Sequence, residues 1–452
     1  MDRNAKKVLV VAYTFPPIAY VGSYRTIRFC KYLPEHGWIP YVLTIEEGDD
    51  LDNDYNLLKR LPEEVHIYRT KTIDFWRMQR KRQVKKNEEN EKLKKESSSI
   101  NVQTGNKPPN RKGPLTRIKE FVWSLVTTPD HMIFWVPFAL LKGIRILRKE
   151  KCDVIYTTSP PHSEQFIGYI LAKLFRKKWV ADFRDPVLDS SGYSPSPFRL
   201  RVDKFLEKLV VRNAHRIIII SQNYIKKMQD RYPRAEDKFF VLPNGYDPEI
   251  YSSSTAAVFE KFTILYAGSF YAHRKPDFFL DGLHAWLEQA PEIRQNVQVL
   301  FYGLEISMAS ATKIVSDKGL NDVVLFPGMI SQDELIQKQK GAHLLLLVIG
   351  FDPESRGTLT SKIFEYIACN RPILAIIPPG DAADILQKYK NTYWVDKEDK
   401  QLLIDFLNLS YKRYMQEQNK HDPVVESHIQ QKTNPYDARE QTKLLASLFL
   451  EN

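Results

Sequence analysis

Short apolar runs alternate with helix-patterned stretches along nearly the whole chain, and this alternation constrains the fold more than any other feature. In the first half the strand candidates are Val8–Ala12, Pro40–Thr44, His66–Tyr68, Val154–Thr157, Lys178–Ala181 and Arg216–Ile220. Helical patterns at Tyr24–His36, Ser163–Phe175 and Pro197–Asn213 lie between them. Such alternation implies parallel sheets in an α/β protein. The pattern then restarts. Strands are expected at Phe262–Ala267, Val297–Tyr302, Val323–Phe326, Ala342–Val348 and Pro372–Ile376, and helices at Pro276–Gln289, Met308–Lys318, Ser331–Lys340 and Ser361–Ala368. The turn-rich Val241–Pro248 and polar Ser252–Thr255 separate the halves. The reading is a first domain over 1–242, a linker over 243–258, a second domain over 259–430 and a terminal helical segment over 431–452. A chain of 452 residues gives each domain enough length for its own core.

The segment Arg77–Gly113 breaks the rhythm and reads as a disordered insertion in the first domain. Between Arg77 and Lys95 it carries nine Lys or Arg against three Glu, a large part of the formal charge of +11. A solvated loop explains this, and so does attraction to an anionic membrane surface. No aromatic residues interleave with the charges, which argues against nucleic acid. Near it, Val122–Leu125 and Met132–Leu141 are apolar and aromatic and flanked by cations. They read either as core of the first domain or as a patch docking at a lipid interface.

No apolar run reaches the roughly 18–20 residues that span a bilayer. Lys6-Lys7 before Val8–Ala12 is followed by Tyr13–Pro17, without a small-residue cleavage site, so the segment reads as a first buried strand. Cys30, Cys152 and Cys369 are far apart, with no metal-ligand spacing and no even count to pair. They suit a reducing compartment. A cytoplasmic protein, peripheral at the inner face of the membrane, is expected.

The segment most informative about chemistry is Gly357–Ala375. A polar turn opens a short helix near Thr360, Ser361 and Lys362, and the helix stops before Arg371-Pro372 and a buried strand. Its first amides and dipole favour a phosphate, and Lys362 adds a charge. Glu365, one turn on, suits two vicinal hydroxyls. An ordinary helix cap at Thr360 or Ser361 is the alternative. In Leu265–Phe270 a strand meets Gly268 and Ser269, and the cations Arg274 and Lys275 follow. On their residues alone these two cations read as plain loop residues before a helix.

These segments resemble the nucleotide-sugar motifs of family-4 glycosyltransferases. The family's last motif Glu binds the donor ribose, a role the resemblance carries to Glu365. Its earlier Glu falls at Gly357, and its Arg after the strand glycine falls at Ser269, so the resemblance passes the cation role, stabilising a departing nucleotide diphosphate, to Arg274 or Lys275. The first domain is similar too. Phe15-Pro16-Pro17 with Gly22, Ser23 and Arg25 resembles the family's opening loop, where small residues let the backbone approach donor phosphates; a plain turn and helix cap is the other reading. Asp130…Trp135, Asp153–Tyr156 with Ser159–His162, and Val180–Pro186 resemble a bacterial branch of the family. There His162 falls near a cleft histidine, or is an exposed helix-start residue. Asp185 either orients an acceptor hydroxyl or pairs with Arg184. The resemblance covers nearly the whole chain outside Arg77–Gly113.

It implies a GT-B fold, two Rossmann-like domains facing across a cleft. It further implies sugar transfer from a nucleotide-diphosphate donor to a saccharide or lipid-linked acceptor in bacterial surface-polysaccharide biosynthesis, with retention of configuration, no cofactor and no metal. Asp50–Asp54 is a weak competing metal motif, and no Gly-x-Gly-x-x-Gly follows Val8–Ala12 to support dinucleotide binding. A catalytically silent GT-B scaffold in a polysaccharide assembly complex is the second expectation.

Overall fold

The computed structural model describes residues 5–18, 22–47, 53–73, 127–185, 187–189, 193, 195–270, 274–351, 353–418 and 434–450. The expected insertion Arg77–Gly113 and the stretch Val122–Leu125 lie outside them, as do Asp50–Asp52. Two compact units emerge: Met1–Ile219 with Tyr232–Phe240 and Thr442–Asn452, and Ile220–Arg231 with Val241–Gln441.

The first unit's elements run β1 (Lys6–Val11), α1 (Ser23–Tyr32), β2 (Trp38–Ile45), α2 (Asn56–Lys59), β3 (His66–Thr70), α3 (Val136–Glu150), β4 (Val154–Ser159), α4 (Ser163–Phe175), β5 (Lys178–Phe183), α5 (Pro197–Asn213) and β6 (Arg216–Ile219). α6 (Gln222–Arg231), counted with the second unit, precedes β7 (Phe239–Val241). The sheet order is β3-β2-β1-β4-β5-β6-β7, and the pairs from β3 to β6 are parallel. Val8 to Val11 and Ile217 to Ile219 are essentially fully buried. That is the reason these runs carry no polar alternation: both sheet faces are covered.

The second unit continues with α7 (Pro248–Ser253), β8 (Phe262–Ala267), α8 (Asp277–Gln289), β9 (Val297–Tyr302), α9 (Glu305–Asp317), β10 (Val324–Gly328), α10 (Gln332–Gly341), β11 (Leu344–Val348), α11 (Ser361–Cys369), β12 (Ile373–Ile376), α12 (Asp381–Leu386), β13 (Thr392–Val395), α13 (Lys400–Gln418) and α14 (Ala438–Leu450). Its sheet, β10-β9-β8-β11-β12-β13, is parallel throughout. Phe262, Phe279, Trp286 and Phe301 fill its core. α14 is shared: Phe449 meets Trp38 edge-on at 5.0 Å and packs near Tyr156, while Gln441 donates to the carbonyls of Pro243 and Asn244.

In both sheets the strand order reverses beside the first strand, at β1/β4 and at β8/β11. Loops at the carboxyl ends of strands diverge at such a point and leave a crevice for a ligand. Met132–Leu141, open between core and lipid in the sequence, divides. Trp135 is buried, donates to the Thr70 hydroxyl at 2.7 Å and meets Tyr13 edge-on, while Leu141 is 61% exposed.

Candidate functional site

In the second unit, the carboxyl edge of the sheet is bordered by glycines. Gly268 follows β8, Gly303 follows β9 and Gly328 closes β10. Gly268 holds a φ of 129°, which L side chains rarely adopt. A Cβ on Gly303 would stand 2.4 Å from the Gly268 carbonyl oxygen, so the two loop backbones are in contact. These glycines leave backbone open to close approach along the rim, of which the sequence alone points to Gly268.

Lys362 reaches that rim from the first turn of α11. A Cβ on Gly268 would lie 2.4 Å from the Lys362 ammonium nitrogen, so the lysine occupies the space beside the bare glycine. The ammonium donates to the Tyr266 hydroxyl at 3.0 Å and stands over its ring, while that hydroxyl donates to the Ser269 carbonyl at 3.1 Å. Phe270 stacks on Tyr266 with centroids 4.4 Å apart. Burial, then the nearby Arg274 charge, lowers the Lys362 pKa to about 7, with Glu365 opposing. The structure thus gathers Gly268, Ser269, Lys362 and, electrostatically, Arg274 and Glu365 around one loop. Lys275 is exposed.

The helix start departs from an ordinary cap. Thr360 is the N-cap of α11, yet its side chain makes no capping bond, and its buried hydroxyl oxygen has no hydrogen-bond partner in the protein. Ser361 opens the helix and is half-buried. Side-chain capping, left open by the sequence, is therefore not what the N-cap Thr360 does here. The position of the family's earlier Glu is closed: a Cβ on Gly357 would be 2.9 Å from the Tyr224 ring.

In the first unit one side chain ties three carboxyl-end loops together. Arg184, just past β5, donates to the Gly22 carbonyl at 2.8 Å and to the Pro160 carbonyl at 2.9 Å. Sequence reading cast Arg184 only as a partner for Asp185. That pair exists at 3.6 Å, with Asp185 59% exposed. Ser23 is buried and its hydroxyl donates to the Ile18 carbonyl at 3.2 Å, an anchor for the loop.

Below this clasp lies a buried polar layer. Arg25 meets Asp182 at 2.7 Å, and the Tyr156 hydroxyl donates to the same carboxylate at 2.6 Å. The Glu164 carboxyl accepts from the Tyr13 amide at 2.6 Å, and burial pushes its pKa well up. Asp130 accepts from the amides of Met132 and Ser163, joining the short helix at His131–Trp135 to the start of α4. His162 is the half-buried N-cap of α4. Burial and the Arg199 and Arg184 charges lower its pKa to about 3, so it is a neutral imidazole at physiological pH. The first unit thus groups Gly22, Ser23, His162 and Asp185 around Arg184. Asp54, the described acid of the competing metal motif, accepts from the Asn56 amide.

Residues 104–250 match the family model described as Glycosyltransferase Family 4. No curated protein matches the chain. Among solved structures, Anabaena HepE in complex with UDP and glucose is similar over 98% of this chain and 95% of its own, with a TM-score of 0.57 and 14% identity. A glycosyltransferase from Rickettsia africae is similar over 99% and 94%, at 0.56 and 13%. WaaG, a glycosyltransferase involved in lipopolysaccharide biosynthesis, is similar over 97% and 94%, at 0.52 and 12%. Taken with the two parallel sheets and their switch points, these matches give the chain a GT-B fold, with residues 104–250 resembling the Glycosyltransferase Family 4 model.

Proposed function

We propose that the protein moves a sugar from a nucleotide-diphosphate sugar onto a saccharide or lipid-linked acceptor, without a metal ion and with retention of configuration. The observation that carries this reading is Lys362 standing beside the bare backbone of Gly268 at the switch point of the second sheet. A diphosphate fits there for two reasons. The backbone offers close approach, and Lys362 with Arg274 supplies charge that the donor lacks. HepE was captured with UDP and glucose on the same fold. Glu365, on the helix that carries Lys362, is assigned to the ribose hydroxyls.

In the reaction the bond from the anomeric carbon to the phosphate oxygen breaks as the acceptor oxygen bonds to that carbon on the same face. The acceptor proton passes to the departing phosphate oxygen. Charge growing on the diphosphate is met by Lys362, Arg274 and the amino end of α11, with Lys362 already held on Tyr266 before the reaction begins. Surface-polysaccharide assembly at an anionic membrane completes the reading, supported by the net charge of +11.

The test is a panel of nucleotide sugars against the purified protein, read by thermal shift and then by transfer. A donor at 100 times its dissociation constant adds about 2.7 kcal/mol to stability. One donor should raise the melting temperature and be consumed. A panel with no shift and no turnover would instead support a silent scaffold, the second reading, which the closed position at Gly357 favours.

A further inference from the structure

We propose that the outer face of α3, α4 and α5 is the surface by which this protein lies against an anionic lipid bilayer. The proposal rests on the membrane-side reading above and places it on these helices rather than on the basic stretch Arg77–Lys95. The crossovers β3→β4, β4→β5 and β5→β6 all step the same way across the sheet. Right-handed connections therefore put α3, α4 and α5 on one side of it, where α3 packs on α4 and α4 on α5.

α5 is inverted relative to an ordinary surface helix. Its buried side holds two carboxylates, Asp203 and Glu207, beside Val210 and Val211. Asp203 accepts from Arg199 at 2.6 Å and from the Tyr193 hydroxyl at 2.5 Å. Its outer side, at spacings of three and four, presents Phe198, Arg201, Phe205, Lys208 and Arg212, with Lys204 alongside. Phe205 is 62% exposed. Exposed Phe205 and buried Asp203 stand two residues apart on this helix, the reverse of what an aqueous surface favours.

The neighbouring helices repeat the combination. α4 exposes Leu174 at 58% beside Lys173, and α3 exposes Leu141 beside Arg145 and Arg148. Among the described residues, no carboxylate forms an ion pair with Arg145, Arg148, Lys173, Arg201, Lys204, Lys208 or Arg212. The four acids of the three helices are Glu150, Glu164, Asp203 and Glu207; the last three are buried, and Glu150, its side chain 15% exposed, is engaged by Lys7, Tyr68 and, at 3.3 Å, Lys149. Apolar side chains interleaved with unopposed Lys and Arg are what an interfacial helix uses: the apolar groups enter the headgroup boundary while the cations meet anionic phosphates.

The experiment is co-sedimentation of the full chain with vesicles of phosphatidylcholine alone or mixed with phosphatidylglycerol, at low and high salt. The unmodified protein should bind the anionic vesicles at low salt and be released at high salt. Lys204→Glu with Lys208→Glu should lower partitioning by more than tenfold, since each cation near such a surface contributes about fivefold. Lys313→Glu with Lys388→Glu makes the same change in net charge on exposed positions of the second unit and should cost far less. Phe205→Ser should weaken binding at fixed salt with no loss of melting temperature. If the unmodified protein ignores anionic vesicles, both the face and the membrane reading fall, including the case where it captures only an acidic protein. If it binds but the α5 pair behaves like the control pair, the face is wrong and the membrane reading stands.

Discussion

The Lys362 ammonium lies 3.0 Å from the Tyr266 hydroxyl and 4.3 Å from the centre of the same ring. Tyr266 is itself fixed by its bond to the Ser269 carbonyl and by the Phe270 stack. The lysine is thus held at the loop before any ligand arrives, in surroundings that lower its pKa to about 7.

Affinity for the diphosphate should therefore fall as pH rises above 7. A bound anion raises the lysine's pKa, so binding above pH 7 draws in a proton, and affinity weakens by up to about tenfold per pH unit. Calorimetry in buffers of different ionisation enthalpy measures that uptake. Lys362→Gln should bind more weakly at pH 6.5 and show a flat profile. An equally steep profile in the variant would remove Lys362 from the site.

Glu365→Ala should weaken nucleotide binding by about 1.5–3 kcal/mol, the scale of hydrogen bonds to a charged group. Inorganic pyrophosphate, which has no ribose, should lose nothing. Equal nucleotide affinity in variant and parent, with the fold intact, would withdraw the ribose assignment.

His162 has a folded pKa near 3, below the ordinary 6.5. Between those values the unfolded chain binds the extra proton, so this residue's contribution to stability is present above pH 6.5 and is lost as pH falls towards 3. Stability against pH for His162→Asn should be shallower over that window. An NMR titration of the His162 ring should show no midpoint between pH 5 and 8, and a midpoint there would contradict the neutral imidazole.

Gly303→Ala should damage the donor side directly. The new methyl meets the Gly268 carbonyl, backbone that has little room to give, and overpacking of this kind costs about 1–3 kcal/mol. Melting temperature should drop and nucleotide affinity should fall with it. Unchanged values for both would mean that the loops do not rely on this contact.

Transfer should survive EDTA. Activity that vanishes with the chelator and returns with manganese or magnesium would shift attention to Asp50–Asp54.

The architecture was legible because buried parallel strands must be apolar throughout, and runs such as Val8–Val11 and Leu344–Val348 have no other use. β7 and β13 escaped notice: one is three residues long, and the other leaves Tyr393 and Trp394 half-exposed at a sheet edge. α6 was hidden by its polar face, with only Tyr224, Ile225 and Met228 buried. At the site, Gly268 and Lys362 could be read from local spacing, whereas Tyr266 looked like any strand residue. Its meeting with Lys362 joins positions 96 apart, which no local pattern reveals. Arg184 was legible as a cation, but its role as a clasp depends on loops 162 and 24 residues away.

The division of α14 between the units bears on how the chain matures as it is made. Lys178 donates to the Leu450 carbonyl across 272 residues, and Phe449 is buried against Trp38 and Tyr156. The first sheet is synthesised before the second, yet the part of it around Trp38 and Tyr156 stays incompletely covered until Phe449 has been translated. For that interval Trp38 and Tyr156 lack their final partner, and such transiently exposed apolar surface invites aggregation or chaperone binding. The second sheet waits for no such late segment to bury Phe262 and Trp286, since their neighbours on α13 end at Gln418. The order of synthesis and the order of completion are therefore opposite for the two halves of this protein.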